Sequence, residues 1–287
     1  LSRIVYVNGR YVPYAHASVH IDDRGFQFAD GVYEVCEVRD GRIIDEPRHF
    51  ARLKRSLDEL KMPAPMNEAC LSIVLSEVLR RNRVVSGLVY LQVTRGVARR
   101  EFVFPSPDTA PTLVVTARSV DPSKGEDVAA AGIKVVTVPE SRWERVDIKT
   151  TGLLPNVLAK MQAKAAGGRE AWFVDRDGFV TEGGSSNAWI VSDKGVLITR
   201  PAEHGILRGV TRTTLLDLAR KEGLKVEERP FTVNEAKVAQ EAFITSATTI
   251  VTPVIALDSV EIGGGKPGPV VKRLRSGFHA IAAWRSI

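Results

Sequence analysis

Alternating apolar and polar positions dominate the first forty residues. Ile4-Val5-Tyr6-Val7 and Arg10-Tyr11-Val12 flank Asn8-Gly9. An Asn-Gly pair between two such runs is a strong β-hairpin signal, because both central residues of the favoured turn need positive φ. Gly31 to Val38 alternates with period two. That puts Val32, Glu34, Cys36 and Val38 on one face of a strand and Tyr33, Val35 and Glu37 on the other, before Arg39-Asp40-Gly41 turns the chain. The period then lengthens. Phe50, Leu53, Leu57 and Leu60 recur at helical spacing across 47–61, with Pro63 just past the end. Asn67 is placed to cap a second helix whose apolar face is Leu71, Val74, Leu75 and Val78. Arg80 and Arg81 fall in its last turn, where cations suit the helix dipole. Strands are expected near 87–95 and 112–118.

Residues 119–132 break this rhythm. The run is polar and holds Pro122, Gly125 and Gly132, so it reads as a linker. Beyond it, strands expected near 133–138, 171–175, 187–192 and 195–199 alternate with helices near 153–167, 210–222 and 234–239. A last helix is expected near 268–285, after a glycine-rich run that begins at Gly263. There is no internal repeat and no low-complexity tract.

Composition narrows the classes. The 287 residues suffice for two domains, and 44% hydrophobic with 26% charged residues is the profile of an ordinary globular protein. No apolar run approaches the ~20 residues of a membrane span, and the run Leu1 to Gly9 shows no signal-peptide core. A cytoplasmic location is the resulting expectation. The net charge of +6 raises the question of nucleic acid. Its basic residues are dispersed, and the densest groups lack interleaved aromatics, which argues against that partner. Five scattered histidines give no zinc spacing. Cys36 and Cys70 lie in apolar surroundings and read as buried thiols rather than a disulfide.

The candidate chemistry lies in the second half. Lys149 stands in Asp147-Ile148-Lys149-Thr150, followed downstream by Thr181-Glu182-Gly183-Gly184-Ser185-Ser186-Asn187. A primary amine that can form an imine with an aldehyde, and a carboxylate that can keep a pyridine nitrogen protonated, together suit pyridoxal phosphate chemistry. Each motif alone also reads blandly, the first as a strand end and the second as a glycine-rich turn. Gly209-Val210-Thr211-Arg212-Thr213 opens a helix and could present N–H groups to a phosphate, or be a plain helix start. Thr245-Ser246-Ala247-Thr248-Thr249 is a hydroxyl-rich segment that could line the same pocket or be a threonine-rich strand edge.

Taken in order, these pieces resemble the fold-type IV pyridoxal-phosphate enzymes, and within them the D-amino acid aminotransferases, over almost the whole chain. Asp23 to Val35, with Gly31-Val32-Tyr33-Glu34-Val35 at its end, is similar to that family's N-terminal signature, and His49-Phe50-Ala51-Arg52-Leu53 to its phosphate-arginine motif. The resemblance implies an α/β (α+β) fold in two domains: a smaller N-terminal α/β domain over 1–120, a linker over 121–132, and a larger C-terminal pseudo-barrel domain over 133–287 that binds the cofactor.

It also implies roles. Lys149 is the Schiff-base and proton-shuttling lysine, Glu182 the carboxylate at the pyridine nitrogen, and Leu207 the residue against the cofactor ring. Arg52, Val210 and Thr211 hold the phosphate with Ser246, Ala247 and Thr248, although family members often carry Thr where Ala247 stands. Tyr33 and Arg100 bind the substrate carboxylate. The family pattern Arg-x-His appears here as Arg100-Glu101-Phe102, with the histidine replaced. The implied reaction moves an amino group between a D-amino acid such as D-alanine and 2-oxoglutarate or pyruvate, in a homodimer. Three alternatives share the cofactor: a branched-chain L-aminotransferase, weakened by Tyr33-Glu34-Val35; an (R)-amine transaminase, which Phe102 suits; and an aminodeoxychorismate lyase, which eliminates pyruvate.

Overall fold

The computed structural model describes residues 3–203 and 205–287. Leu1 and Ser2, where the run read for a leader begins, lie outside the described residues, as does His204. The chain divides into two compact units. One comprises the residues through Pro122 together with Ile148–Gly152 and Ala283–Ile287; the other comprises Ser123–Asp147 and Leu153–Ala282.

Among the described residues, the first unit's sheet has seven antiparallel strands in the order Trp284–Ser286, Arg42–Ile44, Gly31–Arg39, Gly87–Thr94, Thr112–Ser119, Ile4–Val7 and Arg10–Pro13. The Asn-Gly hairpin forms as expected, with φ of 44° at Asn8 and 88° at Gly9. The parity of Gly31–Arg39 also holds: Val32, Glu34, Cys36 and Val38 are buried, and Tyr33, Val35 and Glu37 half-buried. Helices Glu46–Glu59 and Glu68–Asn82 pack their apolar stripes on this sheet, so Phe50, Leu53, Leu57, Leu71, Leu75 and Val78 share one core with Val32, Cys36, Val89, Leu91 and Val115. Asn67 caps the second helix by accepting from the Cys70 N–H at 2.8 Å. Cys70 itself is exposed, contrary to the buried thiol expected. It lies one residue before Leu71, and a helix turns about 100° per residue, so it leaves the buried stripe.

Two segments far along the chain complete this unit. The expected final helix over 268–285 stops at Ile281, and Trp284–Ser286 pairs antiparallel with Arg42–Ile44. A main-chain bond runs from the Asp45 N–H to Ala283 O at 2.8 Å, and the Ala283 N–H donates back to the Asp45 side chain at Oδ1, at 2.9 Å. Glu46 pairs with Arg285, and Arg42 covers the Trp284 ring. Edge pairing of this kind satisfies strand groups that a helix would have satisfied internally. The second segment carries Lys149. Thr150 bridges to Val32, the Tyr33 N–H donates to Lys149 O at 3.0 Å, and the Thr151 N–H donates to Gly31 O at 3.0 Å. Lys149 is thereby registered against the start of Gly31–Arg39.

In the second unit a mixed sheet runs Val226–Glu228, Leu197–Thr199, Asn187–Val191, Glu241–Ser246, Ile250–Leu257, Ile133–Pro139, Glu170–Val174 and Val180–Gly183, with Val260–Glu261 paired to Ile250–Leu257. Trp172, Val180, Ile190, Phe231, Ile244 and Leu257 lie in its core, and Trp189 stacks on Phe243. The stretch read as a linker contains a helix, Pro122–Ala131. Proline suits the first turn, where its missing N–H costs nothing, and the run Ala129-Ala130-Ala131 favours helix. Among the described residues, no helix is long and apolar enough to cross a membrane.

Candidate active site

In the first unit, the Lys149 Nζ lies 4.2 Å from the centroid of the Tyr33 ring. Tyr33 in turn lies against Tyr90, with ring centroids 5.6 Å apart, and Tyr90 donates to Gln92 Oε1 at 2.6 Å. Burial, with Tyr33 beside it, pushes the Tyr90 phenol up to about 12, so it stays neutral. On the opposite face of the same strand, Glu34 is fully buried. Its Oε1 accepts from Arg52 Nε at 2.8 Å and its Oε2 from Arg52 Nη2 at 2.7 Å. His49 Nδ1 lies 2.7 Å from the same Oε2; a carboxylate only accepts, so the ring carries its proton there. Burial alone would raise the Glu34 carboxyl, but Arg52 and His49 outweigh it and hold it at about 2. A bidentate pair of this kind fixes the plane of the guanidinium as well as its position. Arg52 thus has an orienting partner that motif reading missed. The signal was present: Glu34 is an acid on an otherwise apolar strand face.

The loop after Gly87–Thr94 carries Arg100 and Phe102. Arg100 lies over the Phe28 ring at 5.2 Å, and Phe102, 88% exposed, approaches Phe28 at 5.7 Å. Two buried arginines brace this loop. Arg24 donates to Glu101 O at 2.8 Å and pairs with Asp30; Arg95 pairs with the same Asp30 and covers the Phe104 ring.

In the second unit, Glu182 lies on Val180–Gly183. Its Oε1 accepts from Arg142 Nη1 at 2.5 Å, and its Oε2 accepts from Asn187 Nδ2 at 2.9 Å and from the Leu207 N–H at 3.1 Å. Asn187 Nδ2 also donates to Leu207 O at 2.9 Å. The intervening Gly-Gly-Ser-Ser turn is tied down by Glu170, which accepts from Ser185 and Ser186 hydroxyls at 3.0 and 3.1 Å and pairs with Lys160. The helix Val210–Lys221 starts at Gly209 with no side chain capping it. Its first N–H groups, Val210 and Thr211 among them, have no acceptor within the helix, and the dipole adds positive potential there. A Cβ at Gly209 would come 2.1 Å from Asn187 Oδ1, so the close approach requires glycine. At the end of Glu241–Ser246, the Ser246 hydroxyl lies 3.1 Å from that of Thr248 and 2.9 Å from that of Thr249. Ile250 follows at φ 59°, a left-handed conformation that is costly for a β-branched residue. Ala247 offers no hydroxyl. Among the described residues, no three His, Cys, Asp or Glu side chains group as metal ligands.

Comparison with known proteins resolves the family. Residues 31–257 match the family described as amino-transferase class IV. The chain belongs to the class IV aminotransferases. It is 37% identical to the D-alanine aminotransferase of Staphylococcus haemolyticus, over 98% of this chain and 99% of that protein. It is 40% identical to that of Bacillus licheniformis, over 96% and 95%. A branched-chain amino acid aminotransferase from T.th., solved with pyridoxamine 5′-phosphate, superposes with a TM-score of 0.90 at 28% identity, covering 97% of this chain and 93% of that one. This class IV chain therefore has the mixed α/β fold-type IV architecture. Its motifs pointed to Lys149, Glu182, Arg52 and the Gly209 helix start; what Glu34, Asn187 and Arg142 bind emerges only from the contacts. Asn187 closes the Thr-Glu-Gly-Gly-Ser-Ser-Asn run. Arg142, in Glu140-Ser141-Arg142, carries no motif.

Proposed function

We propose that this class IV aminotransferase uses pyridoxal 5′-phosphate to move an amino group between a D-amino acid, such as D-alanine, and 2-oxoglutarate or pyruvate. The near-complete overlap with D-alanine aminotransferases carries the choice of substrate. The fold neighbours named for branched-chain substrates share less sequence, and a shared fold does not set substrate or stereochemistry.

The residues present fit the cofactor. An uncapped helix start whose glycine cannot be replaced without displacing Asn187, followed downstream by a hydroxyl-rich turn, suits a phosphate. A carboxylate that accepts from three N–H donors is fixed in place and suits a protonated ring nitrogen. Bound pyridoxal phosphate supplies an aldehyde for amino-group exchange and a ring that accepts electron density from the substrate's α-carbon.

The chain's own groups do the rest. Lys149 would hold the cofactor through its aldehyde, and its amine would serve as the base that takes the substrate's α-proton and returns it. Tyr33 keeps an aromatic face beside that amine. Glu182 would hold the proton on the ring nitrogen, and Leu207 would offer apolar contact to the ring. The Val210 and Thr211 amides, the Ser246 and Thr248 hydroxyls and the Ala247 backbone would hold the phosphate, and Arg52, oriented by Glu34, would supply a cation to it. Tyr33 and Arg100 take the substrate carboxylate, and Phe102, unable to donate, leaves that work to them.

A homodimer in the cytoplasm is part of the same reading. Leu154, Val157, Leu158 and Met161 form an outward stripe on the helix Leu154–Ala165, each more than half exposed. Such a contiguous apolar stripe marks an interaction face, and a second copy is the partner proposed.

The test is a panel of D- and L-alanine, D- and L-glutamate, L-leucine and an (R)-amine, with 2-oxoglutarate or pyruvate as acceptor. D-Alanine with 2-oxoglutarate is expected to yield pyruvate and glutamate. Preferential turnover of L-leucine, or pyruvate release without an acceptor, would overturn the assignment.

A further inference from the structure

Glu182 is one corner of a three-residue charge cluster in the second unit. Arg142 donates through Nη1 to Glu182, and through Nε and Nη2 to the two oxygens of Glu140 at 2.9 and 2.7 Å. The Arg142 main-chain N–H donates to Glu140 Oε1 at 3.0 Å, and the Thr181 hydroxyl to Glu140 Oε2 at 2.7 Å. The guanidinium also covers the Phe173 ring at 4.4 Å. Arg142 and Glu182 side chains are each only 6% exposed, and Glu140 is 23% exposed. Three neighbouring strands build the cluster: Glu140 follows Ile133–Pro139, Phe173 lies on Glu170–Val174, and Thr181 and Glu182 lie on Val180–Gly183.

The charges sum in an instructive way. Glu182 and Arg142 alone would be a neutral pair, with little field left to act on a third group. Glu182 and Glu140 alone, with no cation, would share a proton as like charges do. With both Arg142 and Glu140 present, the cluster keeps one net negative charge. Burial would lower the Arg142 titration, but the two carboxylates overcome this and raise it; burial would raise Glu140, and Arg142 holds it below the usual carboxylate range.

We propose that Glu140 and Arg142 are positioning residues for transamination: Arg142 orients Glu182, and Glu140 offsets the guanidinium's charge, so that Glu182 can hold the proton on the cofactor's ring nitrogen. This rests on the role given to Glu182 above. Glu140 neutralises the guanidinium, and Arg142 aims Glu182 without silencing it.

The experiment loads wild-type protein, Glu140→Gln and Arg142→Lys with pyridoxal phosphate carrying 15N in the ring. It follows the ring-nitrogen chemical shift against pH, with kcat and KM for D-alanine measured in parallel. Removing one charge from a partly buried cluster moves a neighbouring titration by on the order of one pH unit. Glu140→Gln is therefore expected to lower the ring-nitrogen midpoint by about that much. It should reduce kcat roughly tenfold while leaving KM within about twofold. Arg142→Lys keeps the charge sum and should leave the midpoint near that of wild type. If Glu140→Gln does not fold, Glu140→Ser, which admits water at this partly exposed position, carries the same test.

A lowered melting temperature with an unchanged ring-nitrogen midpoint would show a merely structural clamp and overturn the proposal. A wild-type protein that fails to bind the labelled cofactor, or binds it with the nitrogen unprotonated, would instead overturn the reading of Glu182 itself.

Discussion

Glu34→Gln tests the physical basis of the first unit most directly. The side chain is fully buried, and its carboxyl titrates at about 2 rather than 4.5 because Arg52 and His49 outweigh the effect of burial. That difference corresponds to about 3 kcal/mol. The sign is fixed by the direction of the change. A carboxyl whose folded value lies below its unfolded value stabilises the protein fully above pH 4.5 and loses that contribution as the pH falls toward 2. By pH 3 the loss is about 2 kcal/mol.

Glutamine cannot titrate, and it leaves the Arg52 charge buried without its carboxylate, which costs about 3–5 kcal/mol at neutral pH. Urea unfolding followed by circular dichroism at pH 7 and pH 3 reads both quantities. Wild type should lose about 2 kcal/mol more than the variant between those pH values, since all other carboxyls are common to both proteins. The variant should also start lower at pH 7. Equal pH dependence in the two proteins, or a variant as stable as wild type at pH 7, would refute the account of this pair.

Four further substitutions probe the chemistry. Lys149→Ala should abolish transamination, measured as pyruvate formed from D-alanine, and turnover near the wild-type rate would remove the lysine from the mechanism. Gly209→Ala places a methyl group 2.1 Å from Asn187 Oδ1. It should cost about 1–3 kcal/mol by overpacking and release cofactor faster on dialysis; unchanged retention would argue against a phosphate at that helix start. Arg100→Ala should raise KM for D-amino acids far more than for an (R)-amine, and Phe102→His should improve kcat/KM for D-alanine relative to that amine. Equal effects of Arg100→Ala on both substrates would make the arginine structural.

Local pattern alone determined much of this protein. Period-two alternation placed Glu34 and Tyr33 on opposite faces of one strand, and the Asn-Gly turn, the Asn67 cap and the apolar stripes of the two N-terminal helices followed from nearest-neighbour chemistry. The motifs around Arg52, Lys149, Glu182 and Gly209 were recognised together, in order, by their resemblance to those of a known family; each alone also reads as an ordinary strand end, turn or helix start. What the sequence could not reveal depends on contacts between distant positions. Trp284–Ser286 is a strand only because Arg42–Ile44 offers it an edge, and a local window reads the same residues as the end of a helix. Arg52 gains its orienting partner from a strand eighteen residues earlier, and Glu182 meets Arg142 forty residues away. Such pairs leave no periodic trace. A buried ion pair needs one partner at bonding distance, which chain topology supplies and local propensity does not. The tertiary structure therefore decided which charges are paired, and so which acids stay ionised when buried.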